Sequence, residues 1–282
     1  MDAEAYIRER TASVDRWLDG CIPPPGEAPD ALSSAMRHLL FPGGKRLRPA
    51  LAFAAAEAVG GVPEDALPAA VAVELIHTYS MIHDDLPCMD DDVLRRGRPT
   101  VHVAFGESTA VLAGDALQAA AFEALATAAL ERPRETALAV RDLASAAGAR
   151  ELVGGQVDDL AFDPSDVAEV TPERIESIHA RKSAALIAVS VITGARMAGA
   201  DEAQLAELKR FGLEVGVAFQ IADDLLDRDE DDLCSLARAL GPEAARERAE
   251  QLLATALRRV DDLGERAEPL RELARFAVRR NR

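Results

Sequence analysis

Two apolar stretches, more than a hundred residues apart, each run straight into paired aspartates: VELIHTYSMIHDD closes on Asp84 and Asp85, and EVGVAFQIADD closes on Asp223 and Asp224. This repetition constrains the fold more than any other feature. A single charged helix end is most often a solvated cap. Acidic side chains are unfavourable at a helix C-terminus, however, where the aligned peptide dipoles already leave partial negative charge. Two such ends, both preceded by strongly apolar turns, require a compensating cation and point inward.

The rest of the chain reads as helix. Ala and Leu dominate, β-branched alternation is nearly absent, and Gly/Pro clusters recur at helix-length intervals. The pattern predicts an all-α protein: one domain over residues 1–282, a bundle of about ten helices around a central cavity. Predicted helices cover roughly residues 3 to 19, a short segment ending at FPGGK, LRPALAFAAAEAV, Pro68 to the first aspartates, and Ser108 to Leu130. Another is expected across ETALAVRDLASAAGARELVGG, and two more across PEAARERAEQLLATALRRVDDL and EPLRELARFAVRR. Thr171-Pro172 is a helix start, a capping residue followed by proline at the first position. Asp201 with Gln204 three residues on is a second, in capping-box form.

Charge narrows the function. With a formal net charge of −17, long-range repulsion opposes nonspecific binding to nucleic acid or anionic membrane. The longest uncharged run, SAALIAVSVITGA, is too short to span a bilayer, and MDAEAYIRER lacks the layout of a signal peptide, so a cytoplasmic protein is expected. Cys21, Cys88 and Cys234 form neither a metal-type pair nor an even disulfide framework. The chain has only three lysines, Lys45, Lys182 and Lys209, so the places that keep one are informative.

Gln220, Asp223 and Asp227 share one helical face. Asp84 and Asp90, six residues apart, would lie about 120° out of phase on an unbroken helix. Pro87 breaks the helix between them and lets Asp90 return from a loop. Carboxylates at this density, with few histidines, suit Mg²⁺, which keeps waters or substrate phosphates in its shell. Arg95 and Arg96 then fit phosphate oxygens. Upstream, FPGGKRLRPAL sets two glycines before Lys45, Arg46 and Arg48 at a loop-to-helix junction, an arrangement suited to an anion. Lys182 opens an apolar helix, where a surface lysine would gain little.

In order along residues 43–227, the segments GGKRLRP, ELIHTYSMIHDDLPCMDDDVLRRGRPTVH, GDALQ, GGQVDDL, RKSAALI and FQIADDLLD resemble the polyprenyl diphosphate synthases, most closely the bacterial short-chain members such as farnesyl diphosphate synthase. The resemblance implies the isoprenoid synthase fold, a homodimer, and two aspartate motifs facing each other across a cavity. It implies that Asp84, Asp90, Asp223 and Asp227 hold Mg²⁺, three ions with substrate bound, with Asp85 and Asp224 in support. Lys45, Arg48, His77 and Arg96 resemble the isopentenyl diphosphate site. Arg95, Lys182, Ser183 and Gln220 resemble the allylic diphosphate site, and Lys182, Gln220 and Arg95 carry the catalytic electrostatics. Ser183 stands where threonine is usual. After Asp227 the family's lysine-bearing loop is replaced by DRDEDDLCSLARAL, which has no lysine.

The expected reaction is head-to-tail prenyl transfer, in which the allylic diphosphate ionises and the π-bond of isopentenyl diphosphate attacks the cation. Tyr79, five residues before Asp84 and about 7.5 Å further down the helix, and its neighbour Ser80 are placed to limit chain length, with farnesyl diphosphate (C15) the expected product. Geranyl or geranylgeranyl diphosphate are the alternatives, and the absent lysine loop raises that of an impaired regulatory subunit. A terpene cyclase would not need Lys45, Arg48 and His77. The Glu-x-x-His pairs Glu74/His77 and Glu176/His179 suggest a di-iron bundle, which leaves both aspartate motifs unexplained. Asp91, Asp92 and Arg98 have no assigned part.

Overall fold

A computed structural model describes residues 1–163, 165, 170–226 and 234–279. Asp227 and the acidic run Asp229 to Asp232 lie outside the described residues. The described chain is all-α apart from one small hairpin. Its helices are α1 (Ala3–Gly20), α2 (Asp30–Leu40), α3 (Leu47–Ala58), α4 (Leu67–Asp84), α5 (Val101–Phe105), α6 (Glu107–Ala126) and α7 (Pro133–Ala147). They continue with α8 (Leu152–Leu160), α9 (Pro172–His179), α10 (Ala185–Met197), α11 (Glu202–Leu226), α12 (Leu236–Leu240), α13 (Pro242–Arg259) and α14 (Glu268–Val278).

The bundle of about ten helices expected is drawn here as 14 α-helical segments among the described residues, because short helices and breaks punctuate it. Gly106, at φ 85°, separates α5 from α6. Gly148, in extended conformation, ends α7 and starts the turn into α8, so the single helix expected from Glu135 to Gly155 is two. Both sequence-read starts are made. Thr171 Oγ1 accepts from the Arg174 N–H at 3.2 Å, and Asp201 and Gln204 cap each other reciprocally at 2.8 and 3.0 Å.

Helix α10 occupies the centre. All 13 of its residues are buried, and it packs against α3, α4, α7 and α11. That explains why its sequence is apolar all round rather than striped. Phe53 of α3, Leu75 and Ile76 of α4 and Phe211 of α11 are among the fully buried large side chains, each stabilising the fold by about 1.5–3 kcal/mol relative to exposure. This packing fixes the ends of α4 and α11, which carry the aspartates.

The hairpin pairs β1 (Leu94–Arg95) with β2 (Arg98–Pro99). Its two turn residues, Arg96 and Gly97, both have positive φ (53° and 73°), as a two-residue turn matched to strand twist demands.

Candidate active site

Helix α4 ends at Asp84, and the chain then doubles back. Pro87 has no N–H to continue the ladder. Instead the Leu86 N–H donates to the His83 carbonyl at 3.1 Å, and the Asp90 N–H reaches the Asp84 carbonyl at 2.9 Å. Asp91 takes φ 55° to close this turn.

The carboxylates gathered here are electrostatically loaded. Burial pushes the Asp84 carboxyl up to about 7; Lys182 and Arg95 pull it down, while Asp90 and Asp85 push it up. Burial raises Asp85 to about 6 even though Arg95 binds it, and raises Asp90 as well. Asp85 Oδ2 is buried without a hydrogen-bond partner.

Among the described residues, no three His, Cys, Asp or Glu side chains converge closely enough to hold a metal by themselves. The donor set nevertheless fits a hard cation. It consists of carboxylate oxygens, one of them orphaned, in a pocket whose negative charge is costly until neutralised. Such an ion would complete its shell with water and substrate phosphate.

A π-helical turn, Ala180–Ala184, joins α9 to α10 and carries Lys182 and Ser183. π-turns inside helices recur at functional sites. Lys182 Nζ donates to Asp159 Oδ2 at 2.5 Å. Burial alone would lower the lysine's pKa, but the charges of Asp159, Asp84 and Asp90 raise it. Ser183 Oγ donates to Gln220 Oε1 at 2.8 Å, and Gln220 Nε2 donates to Asp224 Oδ1 at 3.3 Å. Adjacent residues of one turn therefore act on the first aspartate motif and on helix α11 of the second.

Asp223 is half-buried one turn along from Gln220. Asp224 Oδ2 accepts from the Leu236 N–H at 2.9 Å and so ties the end of α11 to the start of α12.

Beside this acidic rim lies a cleft of about 590 Å³ lined by Lys45, Arg46, Arg48, His77 and Arg96, with Glu74 held by Arg46 and with Phe219 and Phe276 as apolar wall. Lys45 Nζ sits 5.9 Å from the centre of the Phe276 ring. His77 is held well below its ordinary pKa by burial and by Arg48, Arg96, Arg95 and Arg46, so the imidazole is neutral at physiological pH. The glycines upstream leave room for these cations: a Cβ on Gly43 would overlap the Arg46 guanidinium, and one on Gly44 would come within 2.7 Å of Arg96 Nη2.

Arg46 itself is a clamp. Left-handed at φ 52° and 4% exposed, it binds Asp15 Oδ1 at 2.9 Å, Glu74 Oε1 at 2.7 Å and the Leu40 carbonyl at 2.7 Å, tying α1, α2 and α4 to the start of α3. This removes Glu74 from any metal site. Glu176 likewise forks onto Arg248 at 2.7 and 2.9 Å, and His179 Nε2 contacts the Cys234 carbonyl at 3.0 Å. Both glutamates and His179 thus have structural partners, and the di-iron alternative loses its support.

The three unassigned residues of the first motif also have places. Asp92 joins Asp85 in holding Arg95, at 3.0 and 2.6 Å. Arg98 donates to the His38 and Phe41 carbonyls at the end of α2, at 3.2 and 3.0 Å. Asp91 closes the turn described above. Asp159, the partner of Lys182, escaped the reading of the sequence.

Fold and site together define a protein of the isoprenoid synthase class. Residues 29–251 match the model of the family described as polyprenyl synthetase, and the chain belongs to that family. It is 46% identical over 230 residues to heterodimeric geranylgeranyl pyrophosphate synthase large subunit 1, chloroplastic, of Arabidopsis thaliana, covering 80% of this chain and 62% of that protein. It is 40% identical over 295 residues to geranylgeranyl pyrophosphate synthase 7, chloroplastic, of the same plant, covering 99% and 84%. Among solved structures, an FPP/GFPP synthase from Zymomonas mobilis superposes with a TM-score of 0.90 at 37% identity, covering 98% of both chains. A geranylgeranyl pyrophosphate synthetase from the archaeon Geoglobus acetivorans does so with 0.84 at 30% identity, covering 97% and 99%. Among the described residues no helix is long and apolar enough to cross a membrane.

Proposed function

We propose that the protein is a short-chain prenyltransferase that joins isopentenyl diphosphate head to tail to an allylic diphosphate. One observation carries the reading: the hairpin sends consecutive arginines to two differently equipped places. Arg95 faces the acidic rim through Asp85, whereas Arg96 lines the cationic cleft with Lys45, Arg48 and His77. The first place suits a diphosphate that arrives with metal, the second a diphosphate bound by cations alone.

In this reading Asp84, Asp90, Asp223 and Asp227 would hold Mg²⁺, which supplies charge neutralisation of the departing diphosphate. Lys182 and Arg95 donate to the same leaving oxygens. Gln220, fixed by Ser183, orients the head of the allylic substrate. Lys45, Arg48, neutral His77 and Arg96 place isopentenyl diphosphate beside it. The carboxylates bind metal and do not serve as bases; the proton lost after coupling goes to the released diphosphate.

Tyr79, 5% exposed on α4, supports a C15 limit, with Ser80 beside it. The geranylgeranyl names of the two Arabidopsis relatives favour C20 as the second reading. We further read residues 1–282 as one domain, supported by a core that runs from Ala3 to Val278. We read the assembly as a homodimer, supported by exposed Val103, Val111 and Leu112 on α5 and α6. The cytoplasm remains the proposed compartment, supported by a sequence whose three cysteines make no even disulfide framework.

Calorimetry tests the two-place reading. Isopentenyl diphosphate should bind without metal, whereas a non-ionising thiolo analogue of geranyl diphosphate should bind only with Mg²⁺. Equal metal dependence of both would overturn it.

A further inference from the structure

The last turn of α4 is docked on α6 through one side chain that the proposed reaction does not use. The His83 ring lies over the bare Cα of Gly114, where an added Cβ would overlap its Nε2, and that nitrogen is 3.0 Å from the Val111 carbonyl. Glycine inside a helix costs about 1 kcal/mol relative to alanine, so Gly114, buried within the 20-residue α6, calls for a compensating contact. The ring in that notch is the contact. Four residues back on the same face, Tyr79 meets His83 edge to face, with centroids 5.7 Å apart and planes at 78°.

We propose that His83, seated on Gly114, is a positioning residue for product length, holding the Tyr79 ring as the floor beneath the first aspartate motif. The inference rests on the prenyltransferase reading and on Tyr79 as the limiting side chain, and adds the device that keeps Tyr79 in place. Tyr79 has its hydroxyl-bearing ring braced on one side by an imidazole that is itself fixed at two points, the Val111 carbonyl and the Gly114 notch. Without the brace the ring is free to change rotamer and a longer tail passes.

The test is the chain-length distribution of dephosphorylated products, with condensation rate and thermal stability measured alongside. His83→Ala should raise the share of product one isoprene unit beyond the normal limit by about 2- to 10-fold, the range an edge-to-face contact supports. Gly114→Ala, whose methyl displaces the ring, should do the same. His83→Phe keeps a ring over Gly114 and should retain the normal length. In a Tyr79→Ala background, His83→Ala should add no further lengthening.

Unchanged product length in both His83→Ala and Gly114→Ala, with condensation intact, would overturn the inference. So would full additivity with Tyr79→Ala. Absence of condensation by the unsubstituted protein would instead overturn the prenyltransferase reading, and the inference with it. Should His83→Ala fail to fold, Gly114→Ala against His83→Phe decides.

Discussion

Ser183 gives its hydroxyl hydrogen to Gln220 Oε1 at 2.8 Å, one residue after Lys182 pairs with Asp159. The π-turn therefore fixes a lysine and an amide in one rigid unit between the two aspartate-bearing helices. Lys182→Ala should lower kcat by about 10²- to 10³-fold, the usual cost of removing a preorganised donor to a leaving anion. Ser183→Ala removes only an orienting bond and should raise the allylic KM by about 2- to 10-fold. Ser183→Thr should restore it. Steady-state kinetics with varied allylic substrate reads all three, and equal effects of the lysine and serine variants would contradict the assignment.

Arg46 and Lys45 are neighbours with opposite roles. Removing the buried Arg46 by Arg46→Met strands Glu74, and breaking a buried pair of this kind costs about 3–5 kcal/mol. Lys45→Met, at an exposed position, should change stability by less than about 0.5 kcal/mol yet weaken isopentenyl diphosphate binding. Urea unfolding and calorimetry separate the two.

The loaded carboxylates predict a pH dependence. Asp84 and Asp85 titrate near 7 and 6 in the fold, above the ordinary value of about 4 for an unfolded aspartate. The native state then binds more protons than the unfolded state across that window. Their contribution to stability is present at low pH and is lost as pH rises from about 4 to about 7. A divalent ion competes with those protons, so the rise in Tm from Mg²⁺ with inorganic pyrophosphate should grow between pH 5 and pH 8, as about two carboxyls deprotonate. A pH-independent increment would contradict this.

Tyr79→Ala should extend the product by at least one isoprene unit, read by chromatography of the dephosphorylated alcohols. An unchanged distribution would remove Tyr79 from length control.

Much of the site could be read from the sequence because its logic is local. An acid at the end of an apolar helix conflicts with the helix dipole wherever it falls, and Pro87 has one effect on a ladder. The same rule also marks Asp158 and Asp159, next to the end of α8, and applying it there would have found the partner of Lys182. The π-turn and the hairpin were hidden for different reasons. One extra residue in a helical turn leaves no mark on composition, and Arg96 does not advertise the positive φ that its turn demands. Arg46 was hidden because GGKRLRP presents three cations alike, and only packing shows which one faces inward onto Glu74.

The most direct test is condensation itself. Incubated with Mg²⁺, isopentenyl diphosphate and either dimethylallyl or geranyl diphosphate, the protein should yield an all-head-to-tail product of C15, or C20 on the second reading, and Asp84→Asn should abolish it. No condensation with any allylic partner, at any Mg²⁺ concentration, would contradict the account.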